Sequence, residues 1–278
     1  MTALPEIDTP FLLDFLTRLL NTPSPTGFTE PAMSVVEEAL TTIPDLVCTR
    51  TRKGALLASW RDAKATGQRA VTVHVDTLGG MVKEIKTNGR LKLTKVGGYT
   101  WNTVEGEGCT VFTRAGQRIR GSFLLTKSSS HVFGNEVNEM KRDDGTLEVR
   151  LDARTTSATE TLALGIGVGD FVVFDPRVKI NEGFVRSRHL DDKAGAAALV
   201  AAIKALADAG RAPACTTHFF FSNYEEVGHG ASAGIPAEVA EMLVVDMAAI
   251  GEGQASDEFH PSLCVKDSGG PYDRGMSL

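Results

Sequence analysis

Apolar residues recur along this chain at two different spacings, and the switches between them divide it. Near the start the spacing is helical: Thr9 and Pro10 read as N-cap and first helical residue, after which Leu12, Phe15, Leu16 and Leu19 fall on one face. A second helix is expected from about Thr29, with Met33, Val36 and Leu40 as its stripe and Pro31 in the first turn, where a missing N–H does no harm. GALLASW and AVTVHV then read as core strands. From Thr77 to Pro176 the period shortens to two in segments such as MVKEIK, RLKLTKV, GQRIRGSFLL and TLEVRL, divided by turn signals at Asn88-Gly89, Ala115-Gly116 and Asp144-Gly145. Helical spacing returns in DDKAGAAALVAAIKALADAG, where Leu199, Ile203 and Leu206 share a face and Gly210 closes the helix. HFFFSN, MLVVDM and SLCVKD follow as strands at α/β spacing. The expected fold is α/β: a mixed-sheet, three-layer domain made from residues 1–76 and 177–278, interrupted over residues 77–176 by a small all-β, barrel-like insert.

With 278 residues, 42% of them hydrophobic and 23% charged, the chain has the composition of an ordinary globular protein. A net charge of −6 without clustered Lys or Arg argues against nucleic acid as a partner. No apolar run of about 18 residues occurs, and the opening MTALPEIDTPFLLDFL carries acids where a secretory signal has bases, so no membrane partner is expected and the default address is the cytoplasm. Cys48, Cys109, Cys215 and Cys264 lie far apart without a C-x-x-C pair and are expected as reduced thiols. GIGVGD at Gly165–Asp170 lacks the spacing of a nucleotide loop and reads as a strand-edge turn, and GGYTWNTVEGEG reads as a connection.

Candidate chemistry sits where strand-like runs end. AVTVHVD ends in His74 and Asp76, RSRHLDDKAG places Asp191 and Asp192 ahead of a helix, HFFFSNYEE delivers Glu225 and Glu226, and MLVVDM carries Asp246. Singly, each has a structural explanation, such as a core histidine, a helix N-cap or a solvated turn. Together they would crowd carboxylates that repel by about 4 kcal/mol at about 4 Å and an effective dielectric of about 20. Only Lys193 and Arg188 accompany these segments as cations, whereas imidazole and carboxylates suit two divalent ions such as zinc, cobalt or manganese. Adjacent glutamates at the end of an extended run point in different directions, so one can bind metal while the other acts as general base. His74 and Asp76, two apart on a strand, share a face, and Asp76 can fix the tautomer of His74.

In this order, NTPSPTGFTE, HVDTLGGMV, the β insert, HLDDKAGAAA, SNYEEVGHGAS and VVDMA resemble the tetrahedral or glutamyl aminopeptidase family, the dinuclear metallopeptidase family forty-two of clan MH. The resemblance spans nearly the whole chain. It implies that His74 and Asp246 are ligands of a first metal, Asp191 the bridging carboxylate, Glu226 a ligand of the second metal, Glu225 the general base and Asp76 the carboxylate that orients His74. It also implies a cis peptide between Asp191 and Asp192, peptide substrates cleaved at their N-terminus, and homo-oligomers ranging from a dimer, made through the β insert, to twelve subunits in a hollow tetrahedron. The family's last histidine ligand lies beyond the part that resembles KDSGGPYDRGMSL, and the chain given stops at Leu278, so a C-terminally shortened domain is expected; neither His229 nor His260 is expected to replace that ligand. Two other readings stand beside aminopeptidase action: a metal-dependent amidohydrolase or deacylase, and a catalytically silent assembly subunit.

Overall fold

The computed structural model describes residues 3–61 and 67–277. They fall into two compact units, Met1–Val245 and Asp246–Leu278, each described by itself.

The first unit opens with two helices, α1 (Thr9–Leu20) and α2 (Glu30–Leu40). Asp8, one residue earlier than the sequence suggested, caps α1: its carboxylate accepts the Phe11 N–H at 3.0 Å, a bond of the kind Thr9 was expected to make. Strands β1 (Leu46–Arg50), β2 (Leu56–Trp60) and β3 (Gln68–His74) follow. Next come β4 (Gly79–Ile85), β5 (Leu91–Val96), β6 (Gly108–Phe112), β7 (Arg118–Leu125), the short helices α3 (Ser130–Phe133) and α4 (Glu136–Glu139), β8 (Leu147–Leu151), α5 (Ala158–Ala163) and β9 (Phe171–Phe174). These strands close into a barrel in the order β4-β5-β8-β7-β6-β9. The barrel core is largely aliphatic around a few aromatic rings: Phe123 meets Phe174 edge-on at 5.3 Å, and Tyr99 meets Phe174 at the same separation.

A hairpin of β10 (Lys179–Asn181) and β11 (Phe184–Arg186) leads to α6 (Leu190–Asp208), β12 (Thr216–Ser222) and β13 (Val239–Val244). Among the described residues the main sheet runs β1-β2-β12-β3-β13. It is mixed: β12 pairs antiparallel with β2 but parallel with β3, and β13 is parallel to β3. Residues of α1, α2 and α6 share one core with it, in which Leu19, Met33, Val36, Leu40, Ile203 and Phe221 are buried. The apolar stripes of the helices predicted this face, since the buried positions recur at helical spacing.

In the second unit, SLCVKD forms only the end of the expected strand. Only Lys266–Asp267 (β14) is extended, paired with Gly270–Pro271 (β15), while Leu263 and Val265 stand exposed. The turn residues explain the brevity: Asp267 Oδ1 accepts the N–H groups of Gly269 and Gly270 at 2.7 and 3.1 Å, which folds the chain back after two residues.

Because β12 is central and Phe221 is fully buried, Phe221→Ala should destabilise the protein by about 3–5 kcal/mol. Urea unfolding followed by fluorescence and by far-UV circular dichroism measures it; a change below about 1 kcal/mol would show that the site collapses around the lost ring.

Candidate metal centre

His74 is the last residue of β3, and its backbone lies beside Ser222, the last of β12. Whatever follows these two parallel strands therefore emerges at the same edge, as expected for ligand sites of open α/β sheets. After β12 come Glu225 and Glu226; after β3 comes Asp76.

Asp76 is wholly buried and organises this edge. Its Oδ2 accepts the Thr26 hydroxyl at 2.7 Å and the Glu226 N–H at 3.2 Å, while Oδ1 accepts the Glu225 N–H at 3.1 Å. Burial pushes this carboxyl up, but the bonds from His74, Thr26 and Glu225 outweigh it and hold Asp76 below the ordinary carboxylate value. The tautomer of His74 is set chiefly by the Asp76 main chain: Nδ1 lies 2.9 Å from the Asp76 carbonyl oxygen and 3.5 Å from the carboxylate. Nδ1–H donating to that carbonyl leaves Nε2 facing the site.

Nε2 lies 3.0 Å from Asp191 Oδ1 and 3.7 Å from Glu225 Oε2. Burial lowers the basicity of the imidazole, yet its bonds to Asp191 and Asp76 raise it to about 11. Glu226 responds in the opposite sense, raised to about 8 by burial and by the charge of Asp191. The charge of His74 only partly offsets this, so the carboxyl resists ionising unless further positive charge is supplied. Neither nearby base supplies it: Lys193 donates to the Thr22 carbonyl at 2.6 Å, and Arg188 pairs with Glu107 at 3.3 Å. Burial alone lowers the Lys193 amine to about 7. A buried imidazole nitrogen with crowded carboxylates and no ammonium to balance them is a donor set that fits hard to borderline divalent ions.

The Asp191-Asp192 doublet divides its roles. The peptide bond between them is cis, and both residues depart from helical angles, so the regular part of α6 starts after them. Asp191 faces His74, whereas Asp192 caps the helix: its Oδ1 accepts the Gly195 N–H at 3.2 Å and its Oδ2 accepts the His74 N–H at 3.1 Å. A Cβ at Gly195 would fall 2.2 Å from that Oδ1, which is why the motif reads D-D-K-A-G.

The Glu225–Glu226 turn is held from two further sides. The tip between β1 and β2 grips it through Lys53, whose amine donates to the carbonyls of His229 and Gly230 and lies 5.1 Å from the Tyr224 ring centre. From the barrel comes Gly97 at φ +83°, where a Cβ would strike Leu78 at 2.5 Å and approach the Glu226 Cβ to 3.4 Å. His229 stacks on Tyr224 with ring centres 5.1 Å apart. Asp246 belongs to the second unit, where its carboxylate accepts the Met247 N–H at 2.6 Å; its role as a ligand stays with the sequence motif. His260, in the same unit, bonds Asp257 at 2.9 Å. Sequence reasoning missed Thr26 and Lys53 as supports, because a hydroxyl in PSPTG and a lysine in a hairpin tip carry no local signature.

Comparison with known proteins places these residues in context. The profile of the M42 glutamyl aminopeptidase family matches residues 54–278. YhfE of Bacillus subtilis (strain 168), whose name assigns it provisionally as an aminopeptidase, is 44% identical over 261 residues, covering 94% of this chain and 75% of that protein. The TET aminopeptidase of a marine sediment archaeon, Thaumarchaeota archaeon SCGC AB-539-E09, shares the fold with a TM-score of 0.78 at 20% identity, over 88% of this chain and 68% of its own. The TET1 peptidase of Pyrococcus horikoshii, described as assembling into a tetrahedron or a large octahedral shell, shares it with a TM-score of 0.72 at 23% identity, over 84% and 68%.

Asp76→Asn should cost about 2–4 kcal/mol in unfolding free energy, because an amide cannot accept all the bonds that the buried carboxylate receives. Chemical denaturation in the presence of a chelator isolates this structural effect from metal binding; an unchanged midpoint would remove Asp76 as the organiser of the turn.

Proposed function

The chain belongs to the M42 glutamyl aminopeptidase family, and from that premise we propose that it removes N-terminal residues from peptides at a dinuclear divalent-metal centre. The convergence of His74 Nε2, Asp191 Oδ1 and Glu225 Oε2 beyond the ends of two parallel strands carries this reading. His74, Asp191 and Glu226 are the proposed protein ligands, with zinc, cobalt or manganese suited to their nitrogen and oxygen donors.

Bound divalent ions would polarise the scissile carbonyl and acidify the attacking water. The two glutamates differ in ways that support dividing their tasks. Glu226 is the one whose carboxyl is raised by burial and by Asp191, so it gains most from a neighbouring cation. Glu225 is 48% exposed at its side chain and lies at the mouth of the cluster. Its carboxylate is placed to take the proton of the attacking water and return it to the leaving amine nitrogen. The Glu225 and Glu226 N–H groups, both bonded to Asp76, keep the two carboxylates from exchanging positions.

The TET1 relative's assembly supports a further part of the proposal, that this chain also self-associates. Among the described residues no helix is long and apolar enough to cross a membrane.

Glu225→Gln should lower kcat on a free-amine peptide by roughly 10²–10⁴-fold while bound metal, measured by plasma mass spectrometry, stays at the wild-type level. Retained turnover would reassign the base. Chelation should abolish activity, and zinc, cobalt or manganese should restore it; cleavage of N-acetylated peptides as fast as free-amine ones would replace the aminopeptidase reading with an amidohydrolase one. Sedimentation velocity reads self-association, and a monomer at micromolar concentration would remove that part.

A further inference from the structure

A cavity of about 220 Å³ lies where the segment after α1, the barrel strands β6, β7 and β9, and the start of α6 meet. The metal-centre residues do not line it. Leu20, Phe112 and Phe174 form apolar walls, and Thr77, His189 and Lys193 bring polar groups to it.

Those polar groups are poorly served by the protein. Thr77 is 1% exposed, and among the described residues its hydroxyl has no hydrogen-bond partner; its backbone is tied to Ser24 and Thr26 and holds it there. His189 bonds the Phe174 main chain, but its Nε2 has no partner among the described residues. Lys193, equally buried, gives one of its three donors to the Thr22 carbonyl, and among the described residues no carboxylate pairs with it. The cavity has one acid, Asp175, already bound at 2.5 and 2.6 Å by Arg120, while Arg118 lies over the Phe112 ring at 5.4 Å. The balance of the lining is positive and rich in donors.

An unmet buried hydroxyl and an amine with spare donors each carry a desolvation cost that an anionic acceptor would remove. A two-oxygen head suits a lining that offers both the Thr77 hydroxyl and the Lys193 amine. The apolar walls then favour an alkyl tail over a purely inorganic anion, and the volume limits its length. We propose that this cavity binds a short aliphatic monocarboxylate.

The probe is butyrate, added to the metal-loaded protein at constant ionic strength and compared with chloride and with butanol. Butyrate should raise the unfolding temperature saturably, and the two controls should not. Thr77→Val is nearly isosteric and removes a hydroxyl with no partner among the described residues, so without butyrate this variant should unfold at or above the wild-type temperature, yet bind butyrate roughly tenfold more weakly by calorimetry. Lys193→Met should lose the butyrate effect where it folds. The proposal is overturned if butyrate does no more than chloride, or if Thr77→Val keeps wild-type affinity. It is equally overturned if His74→Ala, and not Thr77→Val, abolishes the effect, since the anion would then sit at the metal centre.

Discussion

A single buried carboxylate, Asp76, is the constraint on which the rest of this edge depends. Removing a carboxylate from water costs several kcal/mol, and hydrogen bonds to a charged group return about 1.5–3 kcal/mol each. Asp76 receives the Thr26 hydroxyl and the N–H groups of Glu225 and Glu226, and lies beside His74, and together these win: the carboxyl stays below its ordinary value despite complete burial. Three separate stretches of chain are thereby fixed to one point. The stretch at Thr26 follows α1, His74 ends β3 with Asp76 just beyond it, and the glutamate turn follows β12. The aromatic Phe28 extends this tie to the barrel, with ring centres 5.3 Å from Phe112 and 5.6 Å from Phe171.

The mixed sheet decides where such a point can exist. Parallel pairing of β12 and β13 with β3 brings three strand ends to the same edge, and the antiparallel β1 and β2 turn the hairpin tip of Lys53 toward it as well. Doublets of acids at this edge are then resolved by backbone geometry. Asp192 is consumed by capping α6 and bonding the His74 N–H, which leaves Asp191 to face the imidazole. Glu225 and Glu226 are pinned by consecutive N–H groups to opposite oxygens of Asp76, so each carboxylate has its own direction.

Periodicity makes much of this architecture legible in the sequence. The stripes of α1, α2 and α6 and the alternation in the barrel strands require only burial of an apolar face, which local spacing reports. Strand-ending acids are legible too, since a parallel sheet gathers them at one edge. The misses have non-local causes. Asp8 rather than Thr9 caps α1 because either residue can serve and the chain's path into the helix decides between them. SLCVKD has the composition of a core strand, yet the Asp267 turn lets only two residues pair. The orienting bond to His74 comes mostly from a main-chain carbonyl, which no side-chain motif can announce.

Charge balance links the metal centre to the cavity behind the start of α6. The sequence places one lysine and one arginine beside the acids, and either could have neutralised them directly. Both are committed elsewhere. Arg188 joins Glu107 of the barrel, and Lys193 turns to the Thr22 carbonyl, with the Asp192 cap just ahead of it on the chain. Had the Lys193 amine reached Asp191 or Glu226, it would have relieved the repulsion that raises Glu226 and removed the need for an external cation. Its orientation leaves two imbalances of opposite sign: more carboxylates at the strand ends than the His74 imidazole can balance, and a donor-rich pocket beyond them. The same short D-D-K run thus borders both proposed sites, one suited to a divalent cation and the other to an anion.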